Sequence, residues 1–280
     1  MDILAGKVAV ITGGASGIGN AVAARAAARG MKIVLADIEE RPLREAARSL
    51  SDNGADVLPV VTDVSEASSV EALRDRTLER FGAVHLVHNN AGVGGGGLLW
   101  TISEAEWRWV LGVNLFGVIH GIRTFVPLMV EQGEGHVVNT ASLAGLVSPP
   151  FYGPYSASKH AVVTISEILF RDLRIVGSKV GVSVLCPGFV RTRISEADRN
   201  RPQWAPAPPT NPAAEQVRAA AAQAVADGID PAAVADSVLD AVRTNRFYIL
   251  THPELNGAIA LRLQDILEGR APTDLAPAPA

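Results

Sequence analysis

The sequence predicts an α/β fold, a doubly wound parallel sheet with helices on both faces, and three observations carry that prediction. Short continuous apolar runs alternate with helical segments along most of the chain, as strands covered on both faces by crossover helices require. Residues with turn or ligand chemistry stand directly after these runs, where an open parallel sheet collects its ligands. A glycine cluster joins the first run to the first helix.

Val8 to Thr12 is the first strand, followed by Gly13-Gly-Ala-Ser-Gly17-Ile-Gly19 and an alanine-rich helix to Arg29. Ile33 to Ala36, closed by Asp37, is the second; a helix from about Arg41 to Ser49 follows. The third, Val57 to Val61, leads through Asp63 into a helix from Glu66 to Phe81. Val84 to His88, two amphipathic segments between Glu104 and Val130, His136 to Thr140, a helix from Tyr155 to about Val176, and Val180 to Leu185 continue the alternation. Arg201 to Pro212 is too rich in proline for a helix or a sheet interior and reads as a long surface loop. Helices at about Ala213 to Ala226 and Pro231 to Thr244, a strand from Phe247 to Leu250 and a short helix after Pro253 complete the pattern. With no repeat and no linker between two cores, residues 1–270 read as a single domain with a variable loop at about 188–230, and 271–280 as a disordered tail.

The chain has 280 residues, 48% hydrophobic, with a net charge of −4. No basic run forms the footprint that nucleic acid needs. Cys186 is the only cysteine, which removes an internal disulfide and sits with a reducing compartment. No basic leader precedes the first apolar run and no apolar stretch is expected to span a bilayer, so a cytoplasmic protein without membrane or nucleic-acid partners is expected. His85 and His88 are three apart on a strand and point to opposite faces, so no metal site is expected.

Tyr155-Ser-Ala-Ser-Lys159 places a phenol and an ammonium one helical turn apart on one face. A fixed cation favours the phenolate, and a phenol so tuned exchanges a proton with an alcohol or carbonyl oxygen. The glycine cluster lets peptide N–H groups approach a phosphate at a helix N-terminus. Asp37 stands at the distance beyond it at which a carboxylate accepts ribose hydroxyls, which together describe a dinucleotide site. Asn20 stands where an ATP-binding loop needs lysine. Asn114, inside an apolar helix, needs partners for its amide.

Thr12-Gly-x-x-x-Gly17-x-Gly19, Asn89-Asn-Ala-Gly92, Asn114, Ser142, Tyr155-x-x-x-Lys159 and Pro187-Gly188 with Thr192 occur in the order and separations of the short-chain dehydrogenase/reductase family, and the chain resembles its compact branch from about Lys7 to Thr192. The resemblance implies a Rossmann-type fold and hydride transfer between a secondary alcohol or ketone and NAD. It implies Tyr155 as general acid/base, Lys159 on the nicotinamide ribose and lowering the tyrosine pKa, Ser142 on the substrate oxygen, and Asn114 holding a relay water. Gly13, Gly17, Ile18 and Gly19 would line the pyrophosphate, and Asp63 and Val64 the adenine. Asn89, Ala91, Gly92, Pro187 and Gly188 would line the cofactor cleft, with Thr192 on the nicotinamide amide. A homotetramer is expected by the same resemblance, and because two long helices carry apolar residues on more than one face.

Asp37, with uncharged Ser16 and Ile38 and acidic Glu39 and Glu40, predicts NAD rather than NADP, Arg41 being expected to be solvated or paired with those acids. Phe151, Phe189, Trp204 and Leu98-Leu-Trp100 are expected to wall the cleft for an apolar, bulky or aryl substrate. Arg191, Arg193, Arg199 and Arg201 leave an acidic one open. Competing readings are an NADP-preferring carbonyl reductase, a non-catalytic dinucleotide sensor and a serine acyl enzyme. The last rests on Ser156-x-x-Lys159 and Ser51-Asp-Asn53, whose order is reversed.

Overall fold

The apolar runs become the strands of one sheet. The computed structural model describes residues 4–207, 209 and 211–274. Strands β1 (Val8–Thr12), β2 (Lys32–Asp37), β3 (Val57–Val61), β4 (Leu86–Asn89), β5 (His136–Thr140), β6 (Gly181–Cys186) and β7 (Tyr248–Leu250) lie in the order β3-β2-β1-β4-β5-β6-β7. All six pairings are parallel. The winding reverses between β1 and β4, so the crevice of a doubly wound sheet opens beyond Thr12 and Asn89.

Side-chain alternation assigns the two faces. Ala9, Ile11, Ile33 and Leu35 turn toward α1 (Gly17–Ala27) and the later helix Pro231–Thr244. Val8, Val10 and Val34 turn the other way, toward Val70 and Leu73 of the helix Ala67–Phe81 and toward Phe125 and Met129. Burying each large side chain contributes about 1.5–3 kcal/mol. With α2 (Glu40–Asp52), that helix is α3 (Ala67–Phe81) in chain order.

The two segments expected between Glu104 and Val130 form one helical run: α4 (Glu104–Leu111), a π turn (Gly112–Phe116) and α5 (Gly117–Gln132). Contrary to expectation, this run is long and apolar enough to cross a bilayer by composition. Phe125 and Met129 are nevertheless packed against the sheet, as in a core helix. The π turn carries Asn114, fully buried.

Beyond β5, α6 (Gly153–Ile175) spans 23 residues. After β6 a 3₁₀ segment (Ile194–Asn200) precedes the proline-rich stretch, which is not pure surface: Ala205 is buried. Then come α7 (Pro212–Ala226), capped by the Asn211 side chain, α8 (Pro231–Thr244) and α9 (Asn256–Glu268), longer than expected. Of the tail expected to be disordered, Thr273 donates its backbone N–H to the buried Asp265 carboxylate at 2.8 Å, while 275–280 lie outside the described residues.

Candidate active site

A cavity of about 690 Å³ opens at the carboxyl ends of β1, β2, β4, β5 and β6. Its floor is the glycine turn after β1. Gly13 has φ +63°, and a Cβ there would come within 2.9 Å of the Ala91 Cα; a Cβ on Gly19 would lie 2.3 Å from the Gly13 carbonyl oxygen. Asn90 ties the turn down, donating from Nδ2 to the Thr12 carbonyl at 2.9 Å, while Thr12 Oγ1 accepts the backbone N–H of Asn90 at 2.9 Å and of Ala91 at 3.1 Å.

Two expected cofactor residues are corrected here. Asn89 does not line the cavity; it is buried and donates to Asn139 Oδ1 at 2.8 Å. Its neighbour Asn90 is the residue that lines the cavity, because side chains on consecutive strand residues face opposite ways. Gly19 is also absent from the lining and serves as the space into which the turn folds, whereas Gly13, Gly17 and Ile18 line the cavity.

Asp37 lies at one end of the cavity. Its Oδ2 accepts the Ala15 N–H and its Oδ1 the Glu39 N–H, both at 3.0 Å. Each oxygen retains capacity for a second donor. Burial raises its pKa, partly offset by these backbone N–H groups. Asp63 and Val64 line the same end; Asp63 Oδ1 accepts from Ser65 Oγ at 2.6 Å, and His120 Nδ1 lies 2.9 Å from the Val64 carbonyl oxygen.

Of the two states expected for Arg41, the structure shows the solvated one: it is exposed and makes no ion pair with the neighbouring acids. Glu40 pairs with Arg44 at 2.7 Å, and Glu39 with Arg199, at 2.9 Å, from the segment beyond β6.

At the other end Ser142, Tyr155 and Lys159 converge. Ser142 follows β5, and its Oγ accepts the Ala144 N–H at 3.1 Å. Ser142 and Tyr155 both line this end of the cavity. Lys159 is buried and donates from Nζ to the Thr140 carbonyl at 2.9 Å. Burial pushes Lys159 down to about 8 and pushes the Tyr155 hydroxyl up, with the Ser142 side chain pulling it back. Lys159 Nζ stands 5.6 Å from the Tyr155 ring centroid.

Asn114 sits behind this cluster rather than in the cavity lining. Its amide is fully engaged, accepting the Val93 N–H at 2.8 Å and donating to the Val93 carbonyl at 3.0 Å and to Ser158 Oγ at 3.2 Å. Ser158 Oγ donates in turn to the Tyr155 carbonyl at 2.6 Å. The Asn114 side chain thus positions the helix that carries Tyr155. Ser156 Oγ is buried without a partner, so no serine–lysine hydrogen bond supports the acyl-enzyme reading.

Ala91, Gly92, Pro187, Gly188 and Thr192 line the cavity as expected, as do Phe151, Phe189 and Trp204. Leu98, Leu99 and Trp100 do not; Trp100 is 81% exposed, and Gly94–Gly97 take that wall instead. Missing from the sequence reading were Tyr152 as a wall residue, the buried Glu106, and the face of α7 that lines the cavity. A stripe of small apolar residues spaced three and four apart in α7 was the available signal.

A profile of the short chain dehydrogenase family matches residues 7–203. The chain is 36% identical over 273 residues to a CLA biosynthesis dehydrogenase/reductase from Lactiplantibacillus plantarum, covering 95% of each chain. It is 33% identical over 274 residues to a C alpha-dehydrogenase from a Sphingobium species, covering 97% of this chain and 88% of that one. A crystal structure of a short chain dehydrogenase/reductase from Burkholderia phymatum in complex with NAD superposes with a TM-score of 0.97 at 48% identity, over 99% of this chain and all of that one. With the parallel sheet, the glycine turn and the Ser142–Tyr155–Lys159 cluster in place, the chain belongs to the short-chain dehydrogenase/reductase family and is an oxidoreductase.

Proposed function

We propose that the protein interconverts an apolar, bulky secondary alcohol and its ketone with NAD. The observation that carries this reading is the placement of Ser142, Tyr155 and Lys159 at one end of a cavity whose other end is formed by Asp37. The residues fit a dinucleotide: the glycine turn leaves no room for side chains where backbone N–H groups would meet a pyrophosphate, and Asp37 keeps acceptor capacity for ribose hydroxyls. Gly13, Gly17 and Ile18 would hold the pyrophosphate, Asp37 the adenosine ribose, Asp63 and Val64 the adenine, Lys159 the second ribose and Thr192 the nicotinamide amide. When bound, the cofactor takes or gives the hydride.

Tyr155 Oη takes the carbinol proton during oxidation and returns it during reduction, while Ser142 Oγ hydrogen-bonds the same substrate oxygen and stabilises its developing charge. Lys159, a cation on the same helix face, stabilises the phenolate as it forms. The Asn114 side chain holds the helix in register through Ser158. Phe151, Phe189 and Trp204 favour an apolar substrate and exclude water. The relatives' printed names, a C alpha-dehydrogenase among them and a 1-deoxy-11-beta-hydroxypentalenate dehydrogenase from Streptomyces avermitilis at 35% identity, support a bulky substrate.

The testing experiment is a panel of aryl, long-chain and polyhydroxy alcohols assayed with NAD and NADP by absorbance of the reduced cofactor. NAD is expected to be preferred at least tenfold in kcat/KM, about 1.4 kcal/mol, because the Asp37 carboxylate repels a 2′-phosphate. Asp37→Ala with Ile38→Arg should move the preference toward NADP. Equal wild-type use of NADP would reduce Asp37 to a brace for the glycine turn and Glu39; better turnover of polyols would overturn the substrate class.

We further propose a homotetramer acting in the cytoplasm. Phe116, Ile168, Ile175 and Val176, on or beside the long helices, are exposed apolar residues suited to burial against a second copy. Light scattering should give about four times the 29.3 kDa chain mass; a monomer would refute the assembly.

A further inference from the structure

Helix α7 covers the cavity with one face. Ala214, Val217, Arg218, Ala221, Ala222 and Val225 all line it, and their spacing of three and four residues is that of a single helical stripe. Five of the six are small and apolar. Arg218 is the exception, a guanidinium on the face that overlooks the substrate end.

The other arginines of the lining are already neutralised. Arg193 pairs with Glu196 at 2.9 Å, Arg199 with Glu39 at 2.9 Å, and Arg201 with Asp198 at 2.6 Å and with the buried Glu106. Arg191 pairs with Asp230 at 2.6 Å, outside the cavity lining. Among the described residues, no carboxylate lies within ion-pair distance of Arg218. Tyr152 also lines the cavity, and its hydroxyl makes no hydrogen bond among the described residues. Burial raises the Tyr152 hydroxyl pKa, and the Arg218 charge pulls against that rise. Tyr152 in turn stands edge-on to Tyr155, with ring centroids 6.3 Å apart. One apolar wall therefore runs from the proton-transferring phenol, past a free hydroxyl, to an uncompensated cation at the rim.

We infer that the substrate is an amphiphile: an apolar body bearing the reacting hydroxyl or keto group and, away from it, a carboxylate received by Arg218 and Tyr152. This deepens, and rests on, the dehydrogenase reading above. A guanidinium and a phenol together offer the charge-assisted donors that a carboxylate needs. A neutral substrate of the same shape would leave both groups to water and gain nothing from them. Arg218 is then a specificity residue, acting on binding and not on proton transfer.

The test compares acids with their methyl esters on two skeletons, 4-(1-hydroxyethyl)benzoate and 12-hydroxyoctadecanoate, using the full-length chain with NAD. Wild type should favour at least one acid over its ester by tenfold or more in kcat/KM, mainly through KM. Arg218→Gln should erase that preference and leave ester turnover unchanged, whereas Arg218→Lys should keep part of it. Tyr152→Phe should weaken the acid preference by a smaller factor. Equal use of acid and ester by wild type on both skeletons overturns the inference, as does an Arg218→Gln enzyme that loses acid and ester turnover equally. Turnover of neutral secondary alcohols with none of either acid also overturns it while leaving the dehydrogenase reading intact. No turnover of any secondary alcohol with either dinucleotide overturns that reading and this inference together.

Discussion

Tyr155→Phe is expected to lower kcat/KM by at least a thousandfold, about 4 kcal/mol, while the dissociation constant for cofactor stays within about twofold. The substitution removes one oxygen and leaves the half-buried ring in its packing, so the fold is little affected. Steady-state oxidation and a fluorescence titration of reduced cofactor separate the two quantities. Activity within tenfold of wild type would remove Tyr155 from the chemistry. The direction of its pKa also fixes a pH dependence. Burial holds the hydroxyl above its ordinary value of 10.0, so the base form needed for oxidation is scarce at neutral pH and oxidation should accelerate with rising pH. Reduction uses the protonated form and should be level through neutrality.

Lys159→Met is expected to stabilise the fold at pH 7 while reducing activity at least a hundredfold. The lysine's ordinary value of 10.5 falls to about 8 in the folded chain, which disfavours its charged form by about 3 kcal/mol. Since the folded value is the lower one, this penalty is fully present below pH 8 and fades as pH rises toward 10.5. Losing the bond to the Thr140 carbonyl returns about 1 kcal/mol of the gain, leaving about 2 kcal/mol. For a chain of this size that is roughly a 5 °C rise in Tm at pH 7, shrinking as pH rises and reversed by pH 10.5, where the lost Thr140 bond outweighs the residual penalty. A lower Tm at pH 7 would show that the ammonium is well accommodated. The prediction expresses a general conflict: a buried cation kept for proton chemistry costs stability that an apolar side chain would not.

What was legible in the sequence was local. Tyr155 and Lys159 share a helix, the glycines share a turn, and Asp37 ends a strand, so spacing alone brings each set together. The assignment of Asn89 failed on parity: the strand ends at that residue, and a shift of one position moves the amide from the cavity to the layer beneath. There a Cβ on Gly121 would lie 2.0 Å from Asn89 Oδ1, which shows how closely the helix approaches it. Glu39 and Arg199 are 160 positions apart, and nothing near either residue encodes their meeting. The apolar trio Leu98-Leu-Trp100 misled because hydrophobicity in a loop does not specify which way it turns. The lid role of α7 was concealed by its alanine content, which reads as helix propensity before it reads as a face.

Among the ties that hold the segment between β6 and α7, two ion pairs differ in character. Arg199 meets Glu39 where both side chains are about a fifth to a quarter exposed, whereas Arg201 reaches a Glu106 carboxylate with no exposure, beneath the Trp109 ring, whose centroid lies 4.3 Å from the guanidinium carbon. Mobile ions weaken the first kind of contact and scarcely touch the second. Raising ionic strength therefore weakens the exposed tie of Arg191 to Asp230 and the partly exposed tie of Arg199 to Glu39, and leaves the segment anchored at Arg201.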